Sequence, residues 1–548
     1  MSIDSQRGAP DIELDLRSPH ELDAPPSTHE DDEVVASPAR RRLVLAAMCV
    51  ALVAVVSSVS GLNVAQQALA ESLGATQSQL LWIINGYTVA LAALLMPVGA
   101  VGDRWGRKPI LLTGLALFAL SNVAAALATS ATVLIGFRIV AGLAAAMIMP
   151  VTLSVITTSF PRDQQAKAIG TWAGFAGAGG IIGLFVSAAL IDNVTWPWVF
   201  ALPVVLAVVS FVATAAFVPN SVEHAEAGFD VRGSLLAVAA VGGLVLALHE
   251  GPEQGWTAGI TIVAFAVGLA STVAFVIVEK RTPHPLLDVR VFAIRGLASG
   301  SLNLFVVFAV MFSLFLVLVQ YLQAVLGYSA LAAAAALLPM AVMMLPLSTV
   351  APSIAERVGF RRTLVMGTLI VAVGLVVLAS MADVDGGFLS VLPATLILGA
   401  GIGLTMSPST AAITSALPDE KQGVAASLND TVRELGAAVG IALIGSVLNA
   451  AYRTNVEAAA AGLPTEAADA VQEGIGGALV IGGQLGPDGV ALVDAARGAF
   501  VDGMMPALLL GAGACVLAAA FTALRGPKTA AEAEPRLHVD LEAQQDAA

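Results

Sequence analysis

Charge is scarce in this chain. Asp, Glu, Lys and Arg make up 12% of its 548 residues, against roughly 25% in soluble domains. With 57% hydrophobic residues and a mean hydropathy of +0.86, a water-soluble fold is excluded. Cysteine is almost absent. Cys49 and Cys515 each lie inside an apolar run, so neither a disulfide framework nor a cysteine metal site is expected. No G-x-x-x-x-G-K-[ST] loop occurs, which argues against ATP as an energy source. No basic face suggests nucleic acid. Strand-type alternation is missing too, and the long apolar runs exclude a membrane β-barrel. Neither a cofactor nor a metal is called for. Of the 40 acidic residues behind the net charge of −14, 15 lie in the two ends, 1–42 and 525–548. These read as solvated, disordered acidic tails rather than as a signal peptide.

What the chain has is apolar length. A helix needs about 20 apolar residues to cross a bilayer, and fourteen segments qualify. They lie near 43–62, 79–101, 110–128, 132–153, 168–191, 197–218, 233–250, 258–278, 297–320, 332–354, 362–381, 389–412, 430–450 and 499–524. With the N-terminus inside, every basic cluster from Arg40 to Arg536 falls on one side, and the other side keeps Arg453 and Arg497. Removing one central span would break that pattern, so both termini are expected in the cytoplasm. The fold class is an all-α membrane protein: two six-helix bundles, 43–218 and 297–524, with two inserted helices and their linkers at 219–296. The stretch 451–498 is expected as an extracytoplasmic loop, either flexible or holding a surface helix or hairpin.

Between the second and third spans, GAVGDRWGRK places Gly99, Asp103, Arg104, Gly106, Arg107 and Lys108 in ten positions. A buried charge would cost roughly 2.5 kcal/mol or more, so this loop lies outside the hydrocarbon. Asp103, near one helix end and the next helix start, can accept from free backbone N–H groups or pair with Arg. Contacts of that kind, broken and remade as helices rock, make a conformational latch; a static brace is the alternative. The loop after the tenth span repeats the pattern with Glu356, Arg357, Gly359, Arg361 and Arg362. Matching loops in two halves are a transporter signature.

These residues resemble those of a known family. GAVGDRWGRK is similar to the signature loop of the major facilitator superfamily. LWIINGYTVALAALLMPVG (81–99) and FRIVAGLAAAMIMP (137–150) resemble helices of its fourteen-helix drug:proton antiporter branch, as do QYLQAVLGYSALAAAAALLP (320–339) and SLNDTVRELGAAVGIALIGSVL (427–448). The resemblance covers nearly the whole chain between the tails. It implies alternating access by two half-molecules and a role for Arg138 in proton coupling. The chain departs from the family at three points. Ser58 stands where the first helix usually carries an aspartate, Leu184 replaces a proline of the fifth-helix motif, and Pro197 replaces the arginine of a Trp-Arg-Trp.

Three charged residues are candidates for coupling. Arg138 lies within the fourth span, where an ionisable residue is a functional-site hypothesis by default. Glu434 and Asp430, four apart on the thirteenth span, share a helix face. Glu434, deeper by about a turn, is the better proton carrier. Asp430 and Arg433 fit equally well with the solvated end of that span. Asn63, Gln66, Trp82, Tyr87, Trp172, Phe175, Asn303, Gln320 and Gln323 are expected around a central cavity. The reading is a secondary transporter of the inner membrane, exporting drugs or amphipathic molecules against protons and working as a monomer in the lipid bilayer. An uncoupled or differently coupled exporter of an anionic metabolite is the alternative, and a non-transporting sensor a third. An enzyme is not expected.

Overall fold

The computed structural model describes residues 35, 37–75, 77–219, 229–417 and 421–527. The tails expected over 1–42 and 525–548 therefore fall mostly outside the described residues, and α1 already begins at Pro38.

Every described element is helical. The first six are α1 (Pro38–Leu73), α2 (Gln77–Trp105), α3 (Arg107–Ala126), α4 (Ala131–Ser159), α5 (Arg162–Asn193) and α6 (Ala201–Phe217). Then come α7 (Val231–Gln254) and α8 (Gly259–Glu279). The rest are α9 (Arg295–Gln320), α10 (Ala330–Val358), α11 (Phe360–Met381), α12 (Phe388–Thr414), α13 (Gln422–Ala460), α14 (Thr465–Glu473), α15 (Ile475–Leu485) and α16 (Val490–Arg525). Among the described residues, fourteen segments are long and apolar enough to cross a membrane, the last taking in both α15 and α16.

α1–α6 pack on one another, as do α9–α13 with α16, and the two groups meet where α5 lies on α10 and α2 on α13. Burial follows this arrangement: the apolar window of α4 is 78% buried, that of α8 only 17%. α8 packs on α7, and α7 rests across both α2 and α13. With lipid on the outside, helices are held by close packing of small residues rather than by a hydrophobic drive. Glycines of α5 show it on two sides. A methyl on Gly183 would meet Ser57 of α1 at 2.5 Å, and one on Gly170 would meet the Ser348 carbonyl of α10 at 2.6 Å. Packing thus accounts for the glycine-rich run of the fifth span.

An internal repeat is visible in backbone and hydrogen bonds alike. Gly106 and Gly359 both turn the chain at φ 101°, a conformation that suits glycine. Two residues later, Lys108 Nζ donates to the carbonyls of Ala215 (2.9 Å) and Val218 (2.8 Å) at the end of α6. In the same register, Arg361 Nε donates to the Gly526 carbonyl (2.7 Å) at the end of α16. A cation is favoured at each helix C-terminus, where carbonyls lack partners. Gln165 Nε2 likewise reaches the carbonyls of Thr157 and Phe160, and Gln422 Nε2 those of Thr414 and Leu417, with identical spacing.

Two expectations need correcting. Most of 451–498 is helix, not loop: α13 runs on to Ala460 because its Ala-rich end has high helix propensity, and α14 and α15 follow it. Tyr452 Oη donates to the Val471 carbonyl (3.1 Å), pinning α14 to α13. In addition, α13 begins at Gln422 rather than near 430. Its polar first turns are helical because they pack inside the protein, where the sequence pattern suggested an aqueous end.

Candidate functional site: a latch and an interfacial cavity

On the face carrying the basic loops, Asp103 fastens α2 to α13. Its Oδ1 accepts the Gly423 N–H (2.8 Å) and its Oδ2 the Val424 N–H (3.2 Å), the free amides of the first turn of α13. Arg107 Nη2 pairs with the same carboxylate at 3.2 Å. So Asp103 makes both kinds of contact its position allows, and one of them crosses between the two helix groups. A carboxylate on a helix N-terminus is favoured by the free N–H groups and the dipole together. The glycines make the approach feasible. A methyl on Gly423 would lie 2.5 Å from Asp103 Oδ1, and one on Gly99 would collide with Ser427 Oγ.

The repeat does not reproduce this contact. Glu356, in the register of Asp103, is exposed, as are Arg357 and Arg362; Arg361 and Arg104 are half-buried. The second loop caps α16 through Arg361, and the crossing contact belongs to the first loop.

Above the latch, at the junction of the two groups, lies a cavity of about 50 Å³. α1 contributes Val56 and Ser60, α2 Thr88, α4 Met149 and α5 Gly177 and Gly180; α9 supplies Phe308, Met311, Phe312 and Phe315, and α13 supplies Arg433 and Glu434. The α9 aromatics form a stacked and edge-on row, with centroids 6.0 and 6.4 Å apart. The hydroxyls are spent locally, since Ser60 donates to the Val56 carbonyl (3.3 Å) and Thr88 to that of Asn85 (3.0 Å).

The charges divide unequally. Arg433 pairs with Asp430 at 2.9 Å, and its guanidinium lies 4.5 Å from the Phe308 ring centroid and 5.3 Å from that of Trp172. Asp430 is fully buried, about 12 Å along α13 from its start, not at a solvated end. Asn429 Nδ2 supports it at 3.2 Å. A buried pair of this kind must be kept together, because either partner alone costs several kcal/mol. Glu434 makes no ion pair among the described residues. It is half-buried and borders the cavity, so Glu434 is the carboxylate there without a cation of its own.

Arg138 lies apart from the lining and is fully buried. Nε donates to the Ile83 carbonyl (3.0 Å), Nη1 to Ser58 Oγ (2.9 Å), and Nη2 has no hydrogen-bond partner among the described residues. Ser58 passes the chain on to Asn122 Oδ1 (3.2 Å). The guanidinium is 4.2 Å from the centroid of Tyr87, whose hydroxyl donates to the Val55 carbonyl (3.2 Å). A serine cannot neutralise a guanidinium, so the arginine is held by neutral oxygens and a ring face.

Several expected cavity residues stand elsewhere. Asn303 is buried among α9, α11 and α16, donating to Thr522 Oγ1 (2.6 Å) and accepting from Thr368 Oγ1 (2.6 Å). It ties the second helix group together, because a buried amide must find partners wherever its helix faces. Gln320 and Gln323 sit half-buried at the outer end of α9, where it widens into a π-turn (Tyr321–Val325). Trp82 is half-buried on α2 and outside the lining. Phe175 packs against the main core. Trp172 backs Arg433 instead of facing the cavity, its Nε1 donating to Thr152 Oγ1 (3.1 Å). The side chains of Asn63 and Gln66 lie outside the described ones. The aromatic row of α9 was missed, although its spacing at 308, 312 and 315 marks one helix face.

The family model of the Major Facilitator Superfamily matches residues 46–441. The chain belongs to that superfamily. It is 33% identical to the multidrug efflux pump LfrA of Mycolicibacterium smegmatis, over 88% of this chain and 97% of that one. With the tetracenomycin C resistance and export protein of Streptomyces glaucescens it shares 31% identity, over 74% of this chain and 75% of its relative. Among solved structures, the proton:xylose symporter XylE superposes with a TM-score of 0.57 at 12% identity, covering 89% of this chain and 96% of that one. At that identity the superposition speaks for the fold alone. The chain is a membrane transporter of this superfamily, and it resembles multidrug efflux pumps and resistance exporters.

Proposed function

We propose that the protein exports drugs or amphipathic small molecules across the cytoplasmic membrane in exchange for protons, working as a monomer and not as an enzyme. The observation that carries this reading is the interfacial cavity: an aromatic wall from α9 faces Glu434, a carboxylate with no ion pair among the described residues. Aromatic rings offer contact area to many flat apolar molecules, and a carboxylate adds attraction for a positive group. Arg433, next in the chain, is held by Asp430 and two rings and makes no ion pair with Glu434.

The basic loops face the cytoplasm under the positive-inside rule, so the Asp103 contact closes the cytoplasmic side. Export then requires two exchanges. Proton uptake by Glu434 removes the attraction and releases the substrate outward; proton loss inside restores it. Between them, the helix groups rock about the cavity and Asp103 leaves α13. In this reading 43–218 and 297–524 are the moving halves, and 219–296 rides on them.

Proteoliposomes with an imposed pH gradient test the reading. Accumulation of a fluorescent cationic dye should follow the gradient in the wild type and stop in Glu434→Gln, while substrate exchange without a gradient continues. Dye transport indifferent to the gradient would overturn proton coupling. One observation favours a second reading: the unpartnered Nη2 of Arg138 beside Ser58 would suit an anionic metabolite. In the same assay, that reading requires an organic anion to outcompete the dye and Arg138→Gln to abolish the competition.

A further inference from the structure

The inserted pair α7 and α8 ends on the basic face in a contact that transport at the cavity does not explain. Asp230 caps α7, its Oδ1 accepting the Gly233 N–H at 2.8 Å. Glu279, the last residue of α8, is 2% exposed. Its carboxyl group lies beside that of Asp230, against the same glycine. Both reach over Gly233, where an added methyl would collide with Glu279 Oε1 and lie 2.6 Å from Asp230 Oδ2.

The outer oxygens of the pair hold the linker from α8 to α9. Glu279 Oε2 accepts the Leu287 N–H (2.9 Å) and Asp230 Oδ2 the Leu286 N–H (3.4 Å). Glu279 Oε1 has no donor among the described groups. Carboxylates donate nothing, so two carboxyl groups bond each other only while one carries a proton. Amide N–H groups pointing at the pair disfavour a metal cation there. A proton satisfies Oε1 and removes the like-charge repulsion at once.

We propose that Asp230 and Glu279 form a proton-binding site that clamps the inter-half linker to the inserted helices. Its surroundings reach both members of the latch. Phe229, next to Asp230, stacks on Trp105 of the first signature loop, with centroids 6.1 Å apart at 26°. Lys421, at the start of α13, donates to the Pro285 carbonyl of the linker (3.0 Å). Among the described residues, the charged groups acting on Glu279 are Asp230 from α7 and Lys421 from the turn before α13. Arg232, Lys280, Arg281 and His284 point into solvent. The sign follows from the bond. The clamp holds while the shared proton is present and opens as pH on that face rises and both carboxylates ionise.

This site is independent of proton coupling at Glu434, and its test needs neither substrate nor gradient. Hydrogen–deuterium exchange is followed on the full-length protein in nanodiscs, in the peptide covering 280–294, from mildly acidic to mildly alkaline pH. Wild-type exchange at Leu286 and Leu287 should climb about tenfold per pH unit more steeply than the base-catalysed chemistry, because one proton must leave first. Glu279→Gln and Asp230→Asn, which keep a hydrogen bond without the shared proton, should each bring the slope back to that of the chemistry. A wild-type curve parallel to those of both variants would overturn the clamp.

Discussion

Replacing Asp103 by Asn tests the latch with the least disturbance of shape. The aspartate accepts two N–H bonds from α13 and one from Arg107, and it is 9% exposed. Hydrogen bonds to a charged acceptor contribute roughly 1.5–3 kcal/mol each. The asparagine oxygen keeps one of them in weaker, neutral form, while its NH2 group faces donors. The helix dipole contribution is lost with the charge. Together the closed arrangement should weaken by about 3 kcal/mol, a factor of about 150 in its equilibrium with the open one. Ser427 offers the readout. It is fully buried beneath Gly99, its Oγ donating to the Gly423 carbonyl at 2.8 Å. With Cys49 and Cys515, both buried, replaced by alanine, Ser427→Cys becomes the reporter for a membrane-impermeant thiol reagent applied from the basic face. Labelling should accelerate with the open fraction, toward that factor of about 150. A rise below about threefold would show that the Asp103 contacts do not bias the helix groups.

Other consequences follow from the charges and the close contacts. Asp430→Asn should strip the counter-ion from the buried Arg433 and destabilise the protein by roughly 3–5 kcal/mol, with Asp430→Asn/Arg433→Met recovering most of it, as read by thermal unfolding in detergent. Ser58→Asp should give Arg138 a partner at the position where Ser58 Oγ now stands at 2.9 Å; the expected result is faster efflux of cationic dyes, and unchanged efflux would show that the neutral oxygens already suffice. Gly423→Ala places a methyl 2.5 Å from Asp103 Oδ1 and 2.6 Å from the Gly99 carbonyl, so Ser427→Cys labelling should rise in that background as well. Phe312→Ala should narrow the range of exported dyes while leaving the proton exchange proposed for Glu434 intact, measured as dye-driven proton flux in vesicles.

Spans and loops were legible because hydrocarbon imposes length and charge rules that leave their mark along the chain. Asp103 was legible for the same reason: a carboxylate at a helix junction has few possible partners, and the free amides of α13 are among them. The cavity was much less so. Asn303 and Gln66 look alike in sequence, since a polar residue on an apolar helix says that it needs a partner but not which neighbour provides one. Asp430 and Arg433 could have ended a helix or sat inside one, and the difference rests on where α13 starts. That start is set by Asp103, some three hundred residues away, and no local pattern carries it. The aromatic row on α9 was visible as a helix face, yet only its apposition to Glu434 from α13 gives it meaning.

The two walls of the cavity come from different helices: rings at 308, 312 and 315 on α9, ionisable groups at 433 and 434 on α13. Under the proposed function, chemistry and taste are therefore inherited separately. A population facing a new toxin can alter the rings one at a time, each step reshaping what is accepted while the charged helix stays untouched. Such a division shortens the mutational path to a new resistance, and it locates where clinical or environmental variants of this transporter should accumulate.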